Sequence, residues 1–419
     1  MLDRTRADLL AAEIHLKLQQ TVTWTARVPD AHLFRSGGSA AHACVRVWSR
    51  AGQALVCVEE ATQDAMSWAL EMASRAATAA GGAGDDPPPA VPAPPPDHAA
   101  DVEPAEPAEP EPDLQPLVLE LAMAARDRGL PVRDVRLTSR RVEIATLSTA
   151  GIAAAETRHG RTAGAYVAFH HSLEPSDALT TAFHPADAVA AAELLLLRLQ
   201  EQQSLVAQAQ GDPLTSVPAG IPVLCRPRAT AHLLAVIAAR DFGGHRARAG
   251  RAPTASWSGR LRIEMNPRDV HNPRCRRFDD EGLPTRRFPL VAGGVQTAYL
   301  HTMATAAVAS HEPNACAARG PSHLPVPSFR GLDLTPTHDR PPDPDEAFLV
   351  DDLIVGQEAR NAVGGVVALG RLRMRGTVRP ARVSTGGGLL HDFATRTCQV
   401  VADGHWGQNG VRGRTVLIG

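Results

Sequence analysis

Residues 278–300 read FDDEGLPTRRFPLVAGGVQTAYL, and the rest of the chain is understood from this stretch outward. Asp279, Asp280 and Glu281 precede Gly282, and Pro284, Arg286 and Arg287 follow. The apolar run Phe288-Pro289-Leu290-Val291 is closed by Gly293-Gly294 and resumes as Val295-Gln296-Thr297-Ala298-Tyr299-Leu300. Two such runs about a Gly-Gly break predict a β-hairpin. Three adjacent acids before a glycine read as a solvated turn, with Arg274, Arg276, Arg277, Arg286 and Arg287 as local counter-charges. A paired-carboxylate acid/base site is the sharper alternative.

Toward the N-terminus the pattern is strand-like. Ile14, Leu16, Leu18, Val22, Trp24 and Ala26 alternate, followed by runs around Val45–Trp48 and Ala54–Val58, with turns expected near Pro29-Asp30, Gly37-Gly38 and Gly52. Ala65, Trp68, Ala69, Met72 and Ala76 then recur at helical spacing, with Thr62 placed to cap. From Gly81 to about Pro116 the chain is PPPAVPAPPP followed by EPAEPAEPEP, the composition of an exposed, stiff linker. A helix is expected over Leu117–Arg128, ending at Gly129, then alternating segments over Val132–Leu147 and Ala163–His171. Glu174-Pro175-Ser176-Asp177 is a turn signal, and Ala186–Ala209 a long helix.

Beyond Gly220, short apolar runs are separated by polar, Gly- and Pro-containing loops, and His232–Arg240 is the one convincing helix. The fold class expected is α+β. N-terminal mixed strand/helix units (1–80 and 117–210, joined by a linker at 81–116) precede a β-rich C-terminal domain, 211–419. The first and second units suggest a structural duplication.

The totals exclude several function classes. A net charge of −2 gives no bulk electrostatic case for nucleic acid or anionic lipid. Lys17 is the only lysine, so nearly all positive charge is arginine, a pattern of high-GC coding. The most apolar run, Val189–Leu199, is interrupted by Glu193 and Arg198 and is too short to span a bilayer, and the N-terminus has no signal-peptide core. Cys44, Cys57, Cys225, Cys275, Cys316 and Cys398 show no CxxC pair, so reduced thiols in a cytoplasmic protein are expected.

The Asp-Asp-Glu-Gly-x-Pro loop leading into an apolar strand, a Gly turn and a second strand resembles the signature of the TldD/PmbA family. That resemblance covers most of the chain, with the C-terminal domain opening at Pro222-Val223-Leu224. Members of the TldD type carry His-Glu-x-x-x-His on the following helix, which binds zinc and activates its water for amide hydrolysis, with a distal cysteine completing the site. Here the corresponding positions are Ala235, Val236 and Arg240, and Asp403 falls near the cysteine position. The first two offer no lone pair and the third would repel a dication. The resemblance therefore points to the TldE (PmbA) branch. It implies a non-catalytic subunit with no cofactor of its own, whose partner is a TldD-like zinc subunit in a heterodimer acting on an extended peptide or peptide-derived metabolite. The alternatives are a stand-alone binding or scaffold protein of the same fold, and an enzyme with an unrecognised site.

Other arrangements are weaker. His311-Glu312-Pro313-Asn314-Ala315-Cys316 begins like a zinc motif, but Pro313 obstructs the helix that would aim both ligands. His232, His245, His271 and Cys275 lack a recognised ligand spacing, while His232, Cys225 and Cys398 are the residues an unrecognised site would use, Cys398 lying close to the family's cysteine position. His323 and His391-Asp392 are scattered polar residues, and Gly386-Gly387-Gly388 lacks the following lysine or helix of a phosphate loop.

Overall fold

The structure, a computed structural model, describes residues 9–79 (except 29 and 31), 113–167 (except 131), 179–183, 192–200 (except 194 and 198), 214–244, 257–320 (except 270), 323–355 (except 341), 366–385, 388–406 and 410–419. Most of the Pro/Glu linker, the turn at 174–177, most of the helix expected over Ala186–Ala209, His245 and Gly386-Gly387 lie outside the described residues.

Long alternating strands build the N-terminal half. Strands β1 (Leu9–Arg27), β2 (Leu33–Ser49) and β3 (Gln53–Val58) are followed by helices α1 (Gln63–Ala79) and α2 (Gln115–Asp127). Then come β4 (Val132–Ser148), β5 (Ala153–Val167), β6 (Leu179–Phe183) and helical residues within 192–200, here α3. The two units form a single antiparallel sheet of order β3-β2-β1-β4-β5-β6, with β1 paired to β4 from Glu13↔Ser148 to Arg27↔Asp134. Three strands lie on either side of the β1–β4 seam, with α1 packed on the first half and α2 and α3 on the second. Thr62 accepts from Ala65 N at 3.2 Å as the expected cap, and Gly129 ends α2 at φ +62°.

Period-two alternation gives the sheet two unlike faces. Ala12 and Ile14 of β1 with Val45 and Val47 of β2 pack on Ala69, Ala73 and Ala77 of α1. Val135 and Leu137 of β4 pack on Val118, Leu121 and Ala122 of α2 and on Leu195 and Leu199. The opposite face carries Glu13, His15, Lys17, Arg46, Thr146, Glu156 and Arg158 and turns toward the C-terminal domain.

That domain contains β7 (Val223–Cys225), α4 (Pro227–Asp241), β8 (Ile263–Met265), β9 (Phe288–Ala292), β10 (Val295–Gln296), α5 (Met303–Ala309), β11 (Ala317–Ala318), β12 (Val326–Pro327) and β13 (Leu332–Leu334). It continues with β14 (Ala347–Val355), β15 (Val366–Met374), β16 (Thr377–Ser384), α6 (Gly388–Arg396), β17 (Thr397–Val400), β18 (His405–Trp406), β19 (Arg412–Gly413) and β20 (Val416–Ile418). The larger sheet runs β16-β15-β14-β7-β20-β17 and the smaller β10-β9-β8-β13. Leu233, Leu234, Ile237 and Phe242 in and after α4 share one core with Ile263, Met265, Leu332, Val350, Phe393 and Val416. The chain is α+β and strand-rich, as the apolar runs imply.

Several local expectations change. The hairpin at Gly293-Gly294 forms, with both glycines at positive φ. Gly37-Gly38 is not a turn: β2 runs through it, and Gly37 lies so close to β1 that a Cβ would sit 3.3 Å from Thr21 O. A helix, α6, does follow Gly386-Gly387-Gly388, and α5 is a further helix among the described residues of the domain. The thiols are not all reduced. Cys44 and Cys57, directly opposite on β2 and β3 with Cα atoms 4.1 Å apart, form a disulfide.

Candidate functional site

Helix α4 carries the positions where the resemblance looks for a metal. Pro227 opens it, a residue whose missing N–H costs nothing in a first turn. Its buried stripe of Leu233, Leu234, Ile237 and Ala238 fixes which way the other faces look. Ala235 and Val236 are half-buried and pack against the domain core. Arg240 closes a two-pronged pair with the buried carboxylate of Asp241, its Nε 2.9 Å from Oδ1 and its Nη2 2.6 Å from Oδ2. A methyl, an isopropyl and a guanidinium already committed to a carboxylate give no donor set for a dication. Zinc does not fit these residues.

One turn earlier on the helix, His232 Nδ1 lies 3.0 Å from Asp352 Oδ1 on β14, and Arg228 Nε lies 2.9 Å from Asp352 Oδ2. Burial opposes ionisation of Asp352, but His232 and Arg228 outweigh it and hold the carboxyl below its usual range. The neighbouring Asp351 pairs with Arg371 at 3.0 Å. These are charge-balanced pairs at the helix–sheet seam.

Asp403 Oδ1 accepts from Thr415 N at 2.8 Å and Oδ2 from Thr415 Oγ1 at 2.5 Å, while the Cys398 thiol donates to Arg396 O at 3.3 Å. His311 stands 3.1 Å from His301 Nε2, and Asn314 braces the same loop by donating to Tyr299 O at 2.6 Å. Burial, then His311, lowers His301 to about 4. Cys225 and Cys316 are buried, and burial pushes the Cys225 thiol up to about 12. Among the described residues no group of three His, Cys, Asp or Glu side chains could hold a metal ion.

The acidic loop is a different matter. Asp279, Asp280 and Glu281 are 2%, 3% and 0% exposed, so the expected solvated turn is a buried plug. Asp279 accepts three backbone N–H bonds, from Glu281 (2.9 Å), Leu283 (3.0 Å) and Ala317 (3.0 Å). Asp280 is gripped by Arg276, by Arg330 Nη2 at 2.5 Å and by Arg319 N at 2.8 Å. Glu281 accepts from Met303 N at 2.7 Å at the start of α5, and Arg46 Nη1 of β2 lies 3.7 Å from its other oxygen. Gly282, at φ +82°, brings the loop against β4 and β5: a Cβ there would lie 2.5 Å from Ile152 Cγ2. Arg319 pairs with Glu13 of β1, and Arg277 N donates to Glu156 of β5 at 2.9 Å.

Electrostatics separate the three acids. Burial raises Asp279 to about 6 despite its backbone donors. Burial, with Asp279 next, raises Glu281 to about 8. Burial also works against Asp280, but Arg330 and Arg276 overcome it and depress the group well below the carboxylate range. Paired carboxyls with raised values are what an acid/base site needs. A space beside Asp279, lined by Ile144, Thr146, Ala154 and Phe278 among others, is about 10 Å³, room for one water and no substrate. The loop is a lock between the sheet and the C-terminal domain. Local reading missed it because the partners Glu13, Arg46 and Arg319 lie far away in sequence.

With this geometry in view, the comparisons are informative. The profile of the PmbA/TldA metallopeptidase C-terminal domain matches residues 218–371. Residues 218–371 are thus similar to the C-terminal domain of that metallopeptidase family. The fold resembles the crystal structure of TldE from Thermococcus kodakarensis, with a TM-score of 0.75 at 15% identity over 97% of this chain and 95% of that one. A Thermotoga maritima protein described as a candidate modulator of a DNA gyrase gives 0.69 at 15% identity over 97% and 95%. A Bacteroides thetaiotaomicron protein so described gives 0.67 at 12% identity over 98% and 94%. No curated protein sequence matches the chain. Among the described residues, no helix is long and apolar enough to cross a membrane.

Proposed function

We propose that this chain is the non-catalytic, TldE-like subunit of a heterodimeric zinc peptidase, and that a TldD-like partner contributes the metal and every catalytic group. The observation that carries this reading is the α4 trio. In the register the family resemblance suggests, Ala235 and Arg240 stand where the metal ligands would be and Val236 where the general base would be, and Arg240 is tied to Asp241. The reaction of the pair would be amide hydrolysis in a peptide or peptide-derived intermediate. This chain would close the cleft and hold the extended substrate by strand addition at a sheet edge. The cytoplasm is the compartment this reading assumes.

The test is co-expression with the TldD-like protein of the same genome, followed by size-exclusion mass and zinc content. One zinc per heterodimer, with none retained by this chain alone, is the expected result. A lone chain that binds stoichiometric zinc, or one that never associates, would overturn it.

A further inference from the structure

The polar face of the N-terminal sheet carries more positive than negative charge where it emerges from the acidic lock. Strand register sets out three successive rows. Arg140 lies opposite Thr21 and Gly160, Gln19 and Arg158 both lie opposite Val142, and Lys17 and Glu156 both lie opposite Ile144. Side chains at these β1, β4 and β5 positions share one face. The bond from Arg277 N to Glu156 sets the turn holding Arg274 and Arg276 over the same rows, and Arg276 and Arg330 reach in from the C-terminal domain to Asp280.

Six cations thus gather here, namely Lys17, Arg140, Arg158, Arg274, Arg276 and Arg330. Among the described residues, the carboxylates that accept from Arg158, Arg276 and Arg330 are Glu156 and Asp280. Glu13 and Glu281 lie deeper, on Arg319 and Arg46. Arg276 and Arg330 are buried, Arg158 and Lys17 are partly buried, and Arg140 and Arg274 are exposed, giving the cluster a floor, walls and a rim. Buried guanidinium nitrogens have no hydrogen-bond acceptor: Nε of Arg276, Nε of Arg330 and Nη2 of Arg158. The cations also disfavour one another. Burial first, then Arg276, lowers Arg140, Arg274 and Arg330, and burial together with Arg140, Arg276 and Arg330 brings Lys17 to about 8 against the pull of Asp280.

We propose that this cluster is an oxyanion-binding site for a carboxylate or phosphate group of a small ligand, entering past Arg140 and Arg274 and received by Arg158, Arg276, Arg330 and Lys17. Guanidinium forks match both oxyanions, and an anion would supply the acceptors that the buried nitrogens lack. The proposal stands apart from the subunit role.

Lys17, the only lysine, makes the test direct. The full chain is treated with acetic anhydride in sodium phosphate, sodium citrate or sodium chloride at matched ionic strength. Acetylation of Lys17 is followed by peptide mass spectrometry and the thermal midpoint is recorded. Phosphate or citrate, and not chloride, should slow labelling several-fold and raise the midpoint. Protection by phosphate alone assigns a tetrahedral ligand, by citrate alone a carboxylate. The variant carrying Arg140→Gln and Arg274→Gln, both exposed and so tolerated by the fold, should lose the protection. Equal protection by chloride, or full protection in that variant, would overturn the proposal.

Discussion

Arg319 and Glu13, 306 positions apart in the chain, form an ion pair in which each side chain is 1% exposed. Removing one member leaves the other charged and buried, which costs about 3–5 kcal/mol, whereas replacing both by apolar groups is often neutral. Glu13→Gln and Arg319→Met should each lower urea-unfolding stability by that order. The double change to Leu and Met should recover much of the loss. Additive losses would mean the two residues act independently.

Folding stability should depend on pH through the same lock. Glu281 holds its proton up to about 8, against 4.5 unfolded, so the folded state binds the extra proton between those values and stability falls as pH rises across them. His15 acts oppositely. Burial, then Arg319, lowers it to about 3 from 6.5, so the unfolded chain is protonated first and stability falls as pH drops through that window. Asp280, depressed in the folded state, adds a loss at the acid end. From 4.5 to 6.5 the raised Glu281 and Asp279 oppose the lowered His15 and His301, and from 6.5 to 8, among the described residues, the Glu281 contribution remains. Glu281→Gln should flatten that upper limb in urea titrations. An unchanged slope would show that Glu281 is ionised when folded.

Gly282 and Gly293 make a controlled comparison. Both have positive φ, but a methyl at Gly293 meets nothing within 4 Å, while one at Gly282 strikes Ile152. Gly293→Ala should cost about 1–2 kcal/mol of left-handed strain. Gly282→Ala should cost more and should expose the sheet–domain seam to limited proteolysis. Equal thermal midpoints for the two would contradict a close approach at Ile152.

Reduction of Cys44–Cys57 should lower stability by about 3 kcal/mol, the chain-entropy figure for a short loop of this kind. Alkylation of denatured, unreduced protein should modify four cysteines, rising to six after reductant. Six modified without reductant would mean that the thiols are free in the isolated protein.

The strands and the hairpin at Gly293-Gly294 were readable because period-two alternation and glycine breaks are local signals. The family motif was readable at Asp279–Gly282 for the same reason, but its burial was not. Three acids in a row look solvated until Glu13, Arg46, Arg319 and Arg330 are brought to the same place by tertiary structure. Gly37-Gly38 misled in the opposite sense: the pair marks close approach of β1 within a strand. Cys44 and Cys57 have no motif spacing, and only strand register sets them face to face. At α4 the Arg240–Asp241 fork gave no sequence signal, because it depends on how two neighbouring side chains turn at the helix end.

The cross-strand neighbour of Glu13 on β2 is Arg46. A nascent chain therefore has a ready internal neutraliser for both charges as soon as the first hairpin closes, long before Arg319 and Glu281 have left the ribosome. Final assembly then adds to that pair: Arg319 joins Glu13, Arg46 keeps Glu13 as its foremost counter-charge, and Glu281 comes to lie beside it. Synthesis order and charge order agree, so Glu13 and Arg46 can wait for the later chain with their two charges matched.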